Sequence, residues 1–209
     1  MSKPKENASP HFSRWIWFLD VLFAGIAAII LQQYEPIVRC AWASGPGTFS
    51  LSVFVAMCMG SFFVYDVAVY HALANKFPYR MTLFGFARFY LDLVMAFVLF
   101  MLLMDAFNKD PDWFNILITI TSWHALAFIW HVLAQREARK KSSLKITIIP
   151  HVYFVSIYWS VAWVSYFSAQ LCGFSDATQS DAALVALSAA IAAISFWRWR
   201  QVIQKLVGM

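Results

Sequence analysis

The stretch Arg14-Trp-Ile-Trp-Phe-Leu-Asp20-Val-Leu-Phe-Ala-Gly25-Ile-Ala-Ala-Ile-Ile-Leu31 sets one carboxylate inside an otherwise apolar run. An ionised carboxylate in such surroundings needs a partner, a task, or both. Five more runs of spanning length follow: Phe49–Tyr70, Thr82–Met104, Trp113–Ala134, Ile146–Ala169 and Ala182–Trp199. About 20 apolar residues cross the hydrocarbon of a bilayer as a helix. No run alternates polar and apolar residues with period two, so a β-barrel has no sequence support. The composition agrees. Of 209 residues, 61% are hydrophobic and only 13% charged, against about a quarter charged in a soluble domain.

The expected fold is therefore an all-α, polytopic membrane bundle of six helices. Residues 1–12 form a polar, mobile tail and 13–209 the membrane domain. Ala41-Trp42-Ala43 mimics a signal-peptide cleavage site. The first run is longer than a signal core, however, and holds Asp20, so it reads as a retained helix.

Charge fixes the expected orientation. One set of helix ends carries Lys3, Lys5, Arg14, Lys76, Arg80, Arg88, Arg136, Arg139, Lys140, Lys141, Lys145, Arg198, Arg200 and Lys205, and the other only Arg39 and Lys109. The positive-inside rule then puts both termini in the cytoplasm, and the expected location is a bacterial cytoplasmic (inner) membrane. The net charge of +5 is explained by this bias and not by nucleic acid. Outer loops hold Glu35, Asp105, Asp110, Asp112, Asp176 and Asp181. Cys40 and Cys172 fall on that side, where an oxidising compartment would allow a disulfide. Six tryptophans (Trp15, Trp17, Trp42, Trp113, Trp197 and Trp199) flank spans as interfacial anchors.

The ionisable residues inside the spans are the site candidates. Asp20, Asp66 and Asp92 share one depth, together with His71, Arg14 and Arg88. Arg88 and Asp92 are one turn apart and can neutralise each other, and Asp66 can bond Tyr70. Arg14 sits on a different face from Asp20, so the expected partner of Asp20 is His71, Arg80 or Arg88 on another helix. In the fourth span Thr121, His124, Phe128, His131 and Gln135 form one stripe. It reads as a proton relay, a haem ligand face, or buried histidines bonded to neighbouring helices. Small residues in the first span (Ala24, Gly25, Ala27, Ala28) and the sixth (Ala182, Ala186, Ala189, Ala190, Ala193) read as helix-packing stripes or as the lining of an oligomeric pore. No enzyme motif, metal-ligand spacing, voltage-sensor pattern or carbonyl filter sequence is present, so neither catalysis, a cofactor nor a metal is expected.

In the opening stretch, Arg14, Phe18 and Asp20 fall at the positions of an Arg-x-x-x-Phe-Ser-Asp motif, and Phe23-Ala24 match its continuation. On these residues the chain resembles the transmembrane protein 175 family of potassium-permeable channels. Leu19 replaces the motif serine and Val21 the following glycine, and the rest of the chain matches by topology only. The resemblance implies a tetramer with first helices on the pore axis. It also implies a bracing network of Arg14, Phe18 and Asp20 with His71, near the end of the second helix. Gly25, Ala28, Ile29 and Gln32 would line the path, but they lack the bulky aliphatic constriction of that family, so selectivity does not transfer. The expected function is an oligomeric cation channel or pore subunit, homotetrameric and potassium-permeable if the resemblance extends that far. The competing expectation is a membrane-embedded sensor or scaffold. It would dock a cytoplasmic protein or anionic lipid through Arg136, Arg139, Lys140, Lys141 and Lys145.

Overall fold

The computed structural model describes residues 10–43, 50–76, 79, 82–108, 110–137 and 144–207, without the side chains of 10–16, 37, 38, 40–43, 71–76, 144–149 and 201–207. Six helices make up the described chain: α1 (Pro10–Ala43), α2 (Leu51–Lys76), α3 (Leu83–Ala106), α4 (Trp113–Glu137), α5 (Leu144–Leu171) and α6 (Asp176–Val207). Each is long and apolar enough to cross a membrane. All six expected spans are present, and each helix runs past its apolar stretch at one or both ends. α1 already begins at Pro10, inside the expected tail, whose residues 1–9 lie outside the described residues.

Local chemistry explains the ends. Thr82 caps α3, its hydroxyl accepting from the Gly85 N–H at 3.0 Å. Asp112 caps α4 through the Phe114 N–H at 2.9 Å. Between α5 and α6, Gly173 takes φ +77°, the left-handed conformation that closes a helix C-terminus at least cost in glycine. α6 begins with the polar turn Asp176-Ala-Thr-Gln179, which apolarity alone leaves out. There the Gln179 amide donates to the Phe174 carbonyl at 2.7 Å. At the far end of α1, Glu35 and Arg39 form an exposed ion pair one turn apart.

Helices α2 to α6 close a ring, each packed on the next and α6 returning to α2, while α4 and α6 also touch across it. α1 lies outside the ring against α2 and α3. The ring interior has two unlike halves. Leu99, Leu102, Leu103, Ile116, Leu117, Ile120, Ala183, Leu184 and Leu187 are all buried and fill the half nearest the α3–α4 and α5–α6 connections with a dry apolar plug. The buried charged residues and histidines collect in the other half.

The small-residue stripes stand partly on the outside of the bundle. Ala24, Gly25 and Ala28 of α1, and Ala189 and Ala193 of α6, face outward. The side of α6 turned into the bundle carries Leu184, Leu187, Ser188, Ile191 and Ser195 instead.

Candidate functional site

The polar half of the ring encloses a chamber of about 50 Å³. That is room for roughly three to five waters, at about 10–15 Å³ each. Asp66 on α2, Asp92 on α3, His131 on α4, His151 on α5 and Arg198 on α6 all line it, so every ring helix contributes one polar side chain. The sequence spacing brings this about. Asp66 stands ten residues before the end of α2, Asp92 nine after the start of α3, His131 six before the end of α4, His151 seven after the start of α5 and Arg198 nine before the end of α6. At 1.5 Å per residue these are all about 9–15 Å from the same end of the bundle. Phe23, Tyr65, Tyr70, Trp123 and Trp130 complete the wall.

Asp92 is buried and accepts a hydrogen bond from the Tyr79 hydroxyl, which reaches in from the α2–α3 connection. Burial, with the Asp92 carboxylate adding to it, pushes the Tyr79 phenol well above its ordinary value, so it remains a donor through the neutral range. The buried indole N–H groups of Trp123 and Trp130 lie near Asp66 and Asp92, respectively, short of direct hydrogen-bond contact.

Beside the chamber, Arg88 is buried and pairs with Glu137 at the end of α4. Its guanidinium lies over the rings of Tyr79, at 4.8 Å, and Trp130, at 4.4 Å. Thr82 donates to the other Glu137 oxygen at 2.9 Å. The expected pairing of Arg88 with Asp92 therefore gives way to a pairing between helices. Glu137 brings a second hydrogen-bond partner with it, and Asp92 is already occupied by Tyr79.

The α4 stripe faces α5. Thr121 accepts from the Trp159 indole at 3.0 Å. His124 Nδ1 meets His151 Nδ1 at 3.1 Å, and the His131 ring lies 5.5 Å from that of His151. Two Nδ1 atoms at this distance share one proton, so the two imidazoles hold opposite tautomers. His124 thus has a mate that sequence reasoning did not supply. Nε2 of His124 is buried without a hydrogen-bond partner. Among the described residues no group of three or more His, Cys, Asp or Glu side chains is placed to hold a metal ion.

The pore-lining candidates of α1 stand apart from the chamber. Gly25, Ala28, Ile29 and Gln32 are exposed on one face. Gly25 and Ile29 border an apolar groove of about 580 Å³ with Phe18, Leu93, Phe97 and Phe100. Phe18 packs on Phe89 of α3. Asp20 is half-buried and acts electrostatically on Tyr70 of α2. Arg136 is exposed and Cys172 is an exposed free thiol. The side chains of Arg14, Cys40, His71, Arg80, Arg139, Lys140, Lys141 and Lys145 lie outside the described residues.

Glu137, Arg198, His151 and Tyr79 belong to the polar assembly and escaped the sequence reading. Glu137 and Arg198 stand at helix ends, where charge reads as topology, and His151 follows Pro150 at the start of a span. For His151 and Arg198 the signal that could have found them is a distance from one end of the bundle shared with Asp66 and Asp92. No protein-family model matches the chain, and no curated protein or solved structure matches it.

Proposed function

We propose that this chain is a multi-pass membrane protein that moves a monovalent cation or a proton, with the ring chamber as the site where that charge rests. One observation carries the reading. Among the described residues, Asp66 and Asp92 line the chamber with one guanidinium, Arg198, while Arg88 beside it is paired with Glu137. Were both chamber carboxyls ionised, the described residues would carry a net negative charge in surroundings where an uncompensated charge is expensive. A proton or a cation balances it. The positive-inside bias would turn the chamber toward the cytoplasm and the apolar plug toward the opposite side. Such an arrangement suits a state open to one side and closed to the other.

The test is flux in liposomes reconstituted with the purified protein, read with pH- and potassium-sensitive dyes. Flux that Asp66→Asn and Asp92→Asn each lower is the expected result. Intact protein that moves neither ion, or flux indifferent to both substitutions, removes the proposal.

A second reading rests on α1. Its exposed face of Gly25, Ala28, Ile29 and Gln32, outside the ring, suits a helix placed on the axis of a homo-oligomer. With the resemblance of the first helix to potassium-permeable channels, this supports a cation path between copies of the chain, with a tetramer the favoured number.

A further inference from the structure

Resting on the chamber as a cation site, we infer that its ligand is a small ammonium-type cation and not a bare alkali ion. The wall decides this. A dehydrated potassium ion needs a shell of oxygens to replace its water, as rings of backbone carbonyls provide in selective filters. Here the wall belongs to helices, whose interior carbonyls are largely held in their own hydrogen bonds. The polar groups of the chamber are two carboxylates, from Asp66 and Asp92, two phenols, the imidazoles of His131 and His151 and the guanidinium of Arg198. What it offers in quantity is aromatic surface, from Phe23, Tyr65, Tyr70, Trp123 and Trp130. Aromatic walls with carboxylates are the chemistry that holds an ammonium group, whose N–H bonds reach the oxygens while its charge and methyl groups lie on the rings.

These rings already carry nitrogen cations on this chain. Arg88 lies 4.4 Å over Trp130 and Arg198 lies 5.6 Å over Tyr65. With both carboxylates ionised, the described lining of Asp66, Asp92 and Arg198 carries one net negative charge, which a monovalent ammonium neutralises. The indole N–H groups of Trp123 and Trp130, buried without direct partners, each need an acceptor. Water sharing the chamber supplies it. A volume of about 50 Å³ holds methylammonium with one or two waters and is too small for tetraethylammonium.

The experiment is equilibrium binding of radiolabelled methylammonium to the full chain in lipid nanodiscs, with potassium and tetraethylammonium as competitors. Saturable binding is expected, with potassium weaker by about tenfold or more and tetraethylammonium unable to compete. Asp66→Asn should weaken binding on the order of a hundredfold and Trp123→Leu about tenfold. The competition on the unaltered protein stands even if a variant fails to fold. Equal displacement by potassium overturns the inference. So does absent methylammonium binding in protein whose proton or potassium flux still depends on Asp66, and that outcome leaves the transport proposal intact. Absence of both binding and flux removes both.

Discussion

Arg88 on α3 pairs with Glu137 at the end of α4 and not with Asp92 one turn along its own helix. The pair is buried and ties the start of α3 to the end of α4, next to the chamber wall. Breaking a buried pair leaves one charge stranded, which costs more than the pair itself contributes. Glu137→Leu alone should therefore destabilise the protein by about 3 kcal/mol. Arg88→Met combined with Glu137→Leu should cost less than either single change. Unfolding in detergent micelles with a double-mutant cycle measures this. Additive losses would mean that the two residues act separately.

Tyr79 closes the same end from the α2–α3 connection, and Asp92 depends on its hydroxyl. Tyr79→Phe keeps the ring under Arg88 and removes only the donor, at a cost of about 1–3 kcal/mol. The sign of the pH dependence follows from the phenol being raised in the folded protein. Its stabilising contribution is complete below the unfolded tyrosine value of about 10 and is lost as pH rises beyond it. The difference between ultraviolet titrations of the unaltered protein and Tyr79→Phe isolates this phenol. Tyr79 ionising near pH 10 with the fold intact would contradict the buried hydrogen bond.

Six helices and the depth shared by Asp66 and Asp92 were legible because apolar length and counting along a helix are local properties. Which side chains pair was not. The rule of neighbours one turn apart joins Arg88 to Asp92, yet Glu137, 49 residues away in sequence, wins. It does so because Thr82 and two aromatic rings complete that corner. His151 was invisible for a related reason. A histidine next to a proline at the start of a span carries no pattern of its own until α5 packs on α4. The outward face of α1 carries part of its small-residue stripe, but no sequence pattern says whether lipid or another copy of the chain covers it.

The His124–His151 contact makes a prediction that separates geometry from mere burial. With 3.1 Å between the two Nδ1 atoms, one ring must carry its proton on Nδ1 and the other on Nε2. Nitrogen-15 spectra of histidine-labelled protein should show the two tautomers together. His151→Asn retains a donor and an acceptor at the seam and should be mild. His151→Ala leaves both His124 nitrogens without partners and should cost about 1–3 kcal/mol. Equal effects of the two substitutions would mean that only the volume of the ring matters.

Gly25 separates the two routes proposed for the cation. A Cβ built there meets nothing within 4 Å, so Gly25→Leu fits the chain without strain and adds bulk only to the exposed face of α1. If the cation passes through the ring chamber, that bulk lies far from it. Stability should then change by no more than about 0.5 kcal/mol, apart from any gain from replacing a helical glycine, and flux in liposomes should stay as it was. If the path instead runs along an axis between copies of the chain, four leucines would crowd it at one level in a tetramer. Flux would then fall sharply in protein that unfolds and assembles normally. Measuring melting, oligomer size and flux on the same preparation makes the result decisive. Lost flux with all else unchanged moves the path from the chamber to α1.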